Sequence, residues 1–493
     1  MTIQNLFNFC ITLSNSFNKF LFSSNYFFIF QYGKAQKEYL PVDGYEWMSE
    51  EELKNTDWST IETDGERGCI LEVDLHYPRR LHKLHADFPL APLNSEIYEE
   101  DLSEETLTSL RLMQGKFDAK HTSRKLIATF RKRKKYVVHF QNLKTYLKLG
   151  MVLKKVRRGI SFNQKPFMSD YIDYIAAMRS SSKSKWIQNT LKLYSNAIYG
   201  KMVENSRNYI TVRFCQTMGN VQKAISSPLF KNYKIYGPGL VGIFMRPSKV
   251  EMKHCLPVGF SILEHSKRVM HELYYENILK LSGLKPPKEI RVCMSDTDSF
   301  ILGIQCKNLN NFFKKISPCM DFSNFPKSHP LYSEENKGEV GFLKDEMKGE
   351  DNIAAVCSLR SKCYSIKRKK PNVVCNGCKK VCYVKKEEKI CKKCNGAGCA
   401  LCMCYNRCKG CPKSTTQLID YEKYVDSLLA GKKQYETFQK ITSSNHHVYT
   451  REQKRLVFSS MDDKRYYTCP IHSLPYGDYR IEKFQEDSWC PLC

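Results

Sequence analysis

The sequence has no run of about 18 apolar residues, the length a membrane-spanning helix needs. Its opening, MTIQNLFNFCITLSNSFNKFLFSSNYFFIF, is aromatic-rich but broken by Asn, Ser and Lys. It also lacks a basic start and a clear cleavage site, so neither a signal peptide nor a membrane anchor is expected. Acidic residues are few: 51 Asp and Glu stand against 78 Lys and Arg, a net charge of +27. That balance favours a polyanionic partner, with nucleic acid ahead of a membrane surface. There is no internal repeat, and 493 residues leave room for two to four domains and a large core. Cysteine is sparse along most of the chain, yet ten of the 22 fall between Cys375 and Cys411. Without a secretory signal, CxxC pairs read as zinc ligands in a reducing compartment rather than as disulfides. The chain is therefore expected to be intracellular, with the nucleus as one candidate location.

Two motifs carry chemistry. RVCMSDTDSFIL, residues 291–302, places Asp296 and Asp298 between two apolar strand-like runs. Asp favours turns, so a plain hairpin tip would explain the pair. Residues two apart on a strand also point the same way, so both carboxylates could face one site. Two carboxylates on a rigid hairpin suit a hard cation such as Mg²⁺. Such ions, in pairs roughly 4 Å apart, catalyse in-line phosphoryl displacement. The second motif is IQNTLKLYSNAIYGKMVE, residues 187–204, which has helical periodicity and no Pro. Lys192, Asn196 and Tyr199 stand at i, i+4 and i+7 on one face, and Gly200 follows. A lysine, an amide and an aromatic ring on one stripe suit a nucleotide; an amphipathic surface helix explains the pattern equally well.

KLYSNAIYG resembles the Kx3NSxYG motif of family B DNA polymerases, MSDTDSF their YxDTDS motif, and SKCYS at 361–365 their KxY motif. The order is also the family's. GCILEVDLHYP, LHADFPLAP, KYVVHFQNLKTYLKLGMVLKKV, PVGFSILEHSK, FLKDEMKG, SSNHHVYTREQKRLVFSSMDDKRYY and LPYGDYRI are similar to the protein-primed branch. They most resemble polymerases of Maverick/Polinton elements and adintovirus-like viruses. The likeness covers about residues 32–481, interrupted by the cysteine block.

The resemblance implies an α+β right-hand fold of palm, fingers and thumb, with a cysteine-rich zinc-binding insertion and no exonuclease domain. It divides the chain into an unmatched segment 1–31, a first palm part 32–170 with an insertion between motifs, and fingers 171–205. A protein-primed-type insertion 206–254 follows, then palm 255–366 with the catalytic hairpin, the cysteine block 367–412, thumb 413–481 and tail 482–493. The implied reaction is template-directed addition of deoxynucleotides to a primer 3′ hydroxyl, with two Mg²⁺. The implied partners are primer-template DNA, deoxynucleoside triphosphates and a terminal protein primer. Asp298 matches the direct metal ligand and Asp296 the supporting one. Lys192 would hold the triphosphate, with Arg179 as a second phosphate contact. Asn196, Tyr199 and Gly200 would line the nascent base pair. Tyr32 would exclude ribonucleotides, and Lys362 and Tyr364 would hold the primer end.

The sequence departs from the family at several points. Met294 and Ala197 replace a Tyr and a Ser of the motifs. The first palm motif normally supplies another aspartate as metal ligand. Counting back from Tyr32, its place holds Phe27. Glu72 and Asp74, in LEVDLHYP, have the wrong spacing to replace it. The resemblance therefore leaves two readings, a polymerase and an inactive DNA-binding remnant.

The cysteine block gives Cys375/Cys378 and Cys391/Cys394 as one tetrahedral zinc set, and Cys399/Cys402 with Cys408/Cys411 as a second. Cys382 and Cys404 are left over, so the pairing stays open. Cys469-x2-His472 with Cys490-x2-Cys493 is a weaker set. The basic runs RKRKK at 131–135 and KRKK at 367–370 are read as contacts to the nucleic-acid backbone.

Overall fold

The computed structural model describes residues 21–487, apart from position 30, 115–121, 297, 350–352, 361, 369–403, 409, 417, 445–446, 460–461 and 470–471. Strand β1 (Leu21–Ile29) leads into the short helix α1 (Gln31–Gln36). A sheet-forming stretch follows, with β2 (Arg67–His76), β3 (Arg133–His139), helix α2 (Phe140–Lys148) and β4 (Val152–Lys165). Along β2 the alternation is regular: Leu71, Val73 and Leu75 are buried, while Glu72 and Asp74 face outward. Both carboxylates are tied to arginines of the antiparallel neighbour β4. Arg158 Nη2 lies 2.9 Å from Glu72 Oε2, and Arg157 Nη2 lies 2.6 Å from Asp74 Oδ2. The hydrogen bonds from Arg157 and from the Lys135 amide hold Asp74 down at about 2.

Two helices, α3 (Ser169–Ser181) and α4 (Lys185–Met202), form a hairpin. The Ser184 side chain caps α4 by accepting from the Ile187 amide. The helix thus occupies the stretch expected from its periodicity, shifted two residues toward the N-terminus. Next comes a small antiparallel sheet in the order β6–β7–β5, made of β5 (Thr211–Cys215), β6 (Phe230–Gly237) and β7 (Leu240–Met245). Helix α5 (Leu256–His271) packs across α1, α2 and α4. Its approach to α4 depends on Gly259, where a Cβ would stand 2.5 Å from Val203 Cγ1.

The central sheet contains β8 (Ile290–Ser295), β9 (Ser299–Cys306) and β10 (Leu343–Asp345), with β1 between β9 and β10. β9 is buried on both faces, which is why its sequence is a nearly continuous apolar run. Phe300, Leu302 and Ile304 join the main core, and Ile301 joins a second cluster with Met294, Tyr364 and Ile366. The register sets Phe27 opposite Phe300 on one side and Asp345 on the other. Leu21–Ile29, within the segment 1–31 that the resemblance leaves unmatched, pairs with both β9 and β10.

A second antiparallel sheet follows, with β11 (Ile353–Arg360), β12 (Cys363–Arg368) and β13 (Cys404–Cys408) in that order. Against it packs helix α6 (Tyr421–Ala430), capped by Asp420 and ended by Gly431 at φ +63°. A long ribbon of β14 (Gln434–Ser444) and β15 (His447–Phe458) follows. Antiparallel sheets with helices grouped apart from them make this an α+β fold. Among the described residues, no helix is long and apolar enough to cross a membrane.

Candidate nucleotide and primer site

The tip of the β8–β9 hairpin is pinned by its own backbone. The Asp296 amide donates to the Ser299 carbonyl at 3.1 Å, and the Asp298 amide donates to the Asp296 carbonyl at 2.6 Å. The Ser299 hydroxyl donates to that same carbonyl at 3.2 Å. Both aspartates are half-buried. Asp296 Oδ1 lies 3.7 Å from Lys362 Nζ, which reaches across from the start of β12. Lys362 takes a left-handed φ of +61°, and Tyr364 is buried against Met294 and Ile301 behind the hairpin. Burial pushes the Asp298 carboxyl up to about 6, opposed chiefly by the positive charge of Lys192. Helix α4 therefore presents its lysine to the hairpin.

The third side comes from α1. The rings of Tyr32 and Tyr199 lie 4.9 Å apart, tilted by 34°. Burial, then Tyr199 and Asp298, raise the Tyr32 hydroxyl to about 12. The two helices are locked by a reciprocal buried pair. Gln36 Nε2 donates to the Ser195 carbonyl at 3.0 Å, and the Ser195 hydroxyl donates to Gln36 Oε1 at 3.2 Å. Lys37 adds an ion pair to Asp173 of α3 at 2.6 Å. Behind Tyr199, Lys267 of α5 is ion-paired with the fully buried Glu264. Burial opposes the Lys267 charge, but Glu264 outweighs it and the ammonium stays charged.

The structure thus brings together Lys192, Tyr199, Tyr32, Asp296, Asp298 and Lys362. Asn196 and Gly200 lie on the same helix and are exposed, and a Cβ built on Gly200 would meet nothing within 4 Å. Arg179 lies half-buried on α3, with burial lowering the pKa of its guanidinium. Sequence reasoning missed Gln36 and Ser195, which position the site without entering it. One signal for them was available: each sits on the same helical face as the tyrosine it serves, at i+4 from Tyr32 and i−4 from Tyr199.

Cys375, Cys378, Cys391, Cys394, Cys399 and Cys402 lie outside the described residues. Cys408 is buried in β13 directly opposite Cys363 of β12, and the Cys411 amide donates to the Cys408 carbonyl at 3.2 Å. Cys469 Sγ lies 3.3 Å from His472 Nδ1, while Cys490 and Cys493 also lie outside the described residues. Among the described residues, no group of three or more His, Cys, Asp or Glu is arranged to hold a metal ion. Position 27, on the strand beside the hairpin, is Phe.

Residues 77–229 match the family described as DNA polymerase type B, organellar and viral. No curated protein matches the chain. Among solved structures, it is similar to Phi29 DNA polymerase complexed with primer-template DNA in a post-translocation binary complex. Identity is 11% and the TM-score 0.46, over 93% of this chain and 63% of that one. It is also similar to the ternary complex of Phi29 DNA polymerase with primer-template DNA and incoming nucleotide substrates. There identity is 12% and the TM-score 0.48, over 89% of this chain and 58% of that one. The chain therefore spans about three fifths of the length of the polymerases it matches. Over residues 77–229 the chain is thus similar to the organellar and viral type B DNA polymerases.

Proposed function

We propose that the chain is the polymerase part of a protein-primed family B DNA polymerase, a right hand of palm, fingers and thumb. It would add deoxynucleotides to a primer 3′ hydroxyl on a DNA template. The observation that carries this reading is the convergence of Lys192, Tyr199 and Tyr32 on Asp296, Asp298 and Lys362. In this arrangement Lys192 neutralises the incoming triphosphate, and Asn196, Tyr199 and Gly200 border the new base pair. Tyr32 closes the sugar side, and Lys362 and Tyr364 steady the primer end. The two hairpin carboxylates stand where the hydroxyl meets the α-phosphate. The net charge of +27 supplies the general attraction for DNA.

A second reading is favoured by one specific observation, Phe27 in the strand beside the hairpin. In that reading the chain keeps DNA and nucleotide binding without synthesis. Primer extension with Mg²⁺ separates the two, using Asp298→Asn as control. Extension by the unchanged chain, lowered on the order of 10³-fold or more in the control, supports the enzyme; losses of that scale follow removal of single catalytic groups. Salt-sensitive binding of primer-template without extension supports the remnant.

A further inference from the structure

β12 begins with Cys363, between Lys362 and Tyr364, and β13 ends with Cys408. The two are direct partners in the antiparallel register, so their side chains leave the sheet on the same face. Cys363 is 1% exposed and Cys408 8%, and both belong to the cluster formed with Tyr424, Val425 and Phe458. Neither is in a disulfide. The chain between them contains nearly all of the cysteine- and lysine-rich block 367–412. A bond between these sulfurs would therefore close that block at its base.

We propose that Cys363 and Cys408 form a reversible dithiol/disulfide couple that fastens the base of the cysteine-rich block to the strand that follows Lys362 and carries Tyr364. Direct cross-strand neighbours have Cβ atoms about 4.5–5.5 Å apart, a little beyond the usual disulfide separation and within reach of a small strand adjustment. β13 is the edge strand, so local opening at that edge gives a small oxidant its access. The Cys408 thiol donates to the Val457 carbonyl at 3.2 Å, and Arg360 lies in the register opposite Cys363 on β11. The step is written with Cys363 as the first thiolate, because a cationic neighbour favours that form.

The oxidant is a small-molecule disulfide, RSSR. The Cys363 thiolate attacks one sulfur, its S–S bond breaks, and RS⁻ leaves and takes up the proton lost from Cys363. The Cys408 thiol then loses its proton and attacks the Cys363 sulfur of the mixed disulfide. A second RS⁻ leaves and takes up that proton. The two cysteines are oxidised to one disulfide, and RSSR is reduced to two RSH. The couple stands on the register and burial of the two cysteines. It does not depend on the polymerase reading, which gives only the neighbouring residues their roles.

The test uses the full chain, incubated with oxidised glutathione in the presence of Zn²⁺. Free thiols are then alkylated, the protein is digested and the peptides are read by mass spectrometry. The expected result is a Cys363–Cys408 linked peptide that dithiothreitol removes. In Cys408→Ser the link is lost and Cys363 appears as its glutathione adduct. Cys357→Ser, altering another cysteine of the same cluster, keeps the link and controls for disturbed folding. The proposal is overturned if both cysteines of the unchanged chain are alkylated after oxidation. It is equally overturned if Cys408 links to a cysteine of 375–402, or resists both reagents until a chelator removes Zn²⁺.

Discussion

At the scale of single residues, the most consequential one is Phe27. The ladder places it opposite Phe300, two residues from Asp298 on the adjoining strand. Position 27 is thus close in register to the hairpin tip. Asp345, across the other edge, does not replace it. Its oxygens accept from the Met347 amide at 3.0 Å and the Gly349 amide at 2.8 Å, and it is fully buried. Glu72 and Asp74 are held by arginines in another sheet. In the polymerase reading, Phe27→Asp is therefore expected to raise Mg²⁺-dependent extension on the order of 10-fold or more, each 1.36 kcal/mol taken off the barrier being tenfold in rate. The same substitution should leave primer-template affinity within about 2-fold, because backbone-phosphate contact is spread over many basic groups. Extension that stays flat in Phe27→Asp while DNA binding is kept would show that position 27 is not a ligand position.

At the scale of elements, the site depends on how closely α4 can lie against α5 and α1. Gly259→Val puts a side chain where Val203 Cγ1 is 2.5 Å and Met202 Cβ 3.3 Å from the new Cβ. Overpacking of this kind costs about 1–3 kcal/mol, and here it also pushes α4 away from the hairpin. Both the melting temperature and nucleotide affinity should fall. Gly200→Ala is the informative contrast. With nothing within 4 Å, it should gain about 0.5–1 kcal/mol of helix stability while weakening nucleotide use, because its side chain enters open space on the proposed base-pair face. Much of this architecture is legible in the sequence. The hairpin strands follow from the apolar runs around Asp296 and Asp298, and α4 follows from its periodicity. What the sequence does not display is the locking of one element to another. Gln36 and Ser195 are distant along the chain and ordinary in kind, and only the fold makes them partners. β1 is hidden for a related reason. Its pairing partners, β9 and β10, lie about 270 to 320 residues further along the chain.

At the scale of the whole molecule, histidine burial sets the response to acid. His85, His265 and His271 are driven down to about 3 by burial, His472 to about 4, and His139 well below the usual range. They come from several parts of the fold, so their titration reports on its integrity as a whole. In the folded chain these rings stay neutral through mild acid, whereas in the unfolded chain they take up protons near pH 6.5. Because the folded values are depressed, their contribution to stability is complete above about pH 6.5 and drains away as the pH falls toward 4 or 3. Each such ring costs about 1.4 kcal/mol per pH unit within that window. Asp298 acts the other way: raised to about 6 by burial, it takes up a proton in the folded state first and offsets part of the loss. Asp74 and Asp478, held near 2, contribute stability that is complete above the ordinary carboxylate range and is lost only at more acid pH. The net expectation is a melting temperature that is steady from pH 8 to 7 and falls steeply between about pH 6.5 and 5. Unfolding in that window should be accompanied by uptake of more than one proton, measurable by comparing unfolding enthalpies in buffers of different ionisation heat. A melting temperature unchanged between pH 7 and 5 would mean that these rings reach solvent and titrate normally within the fold.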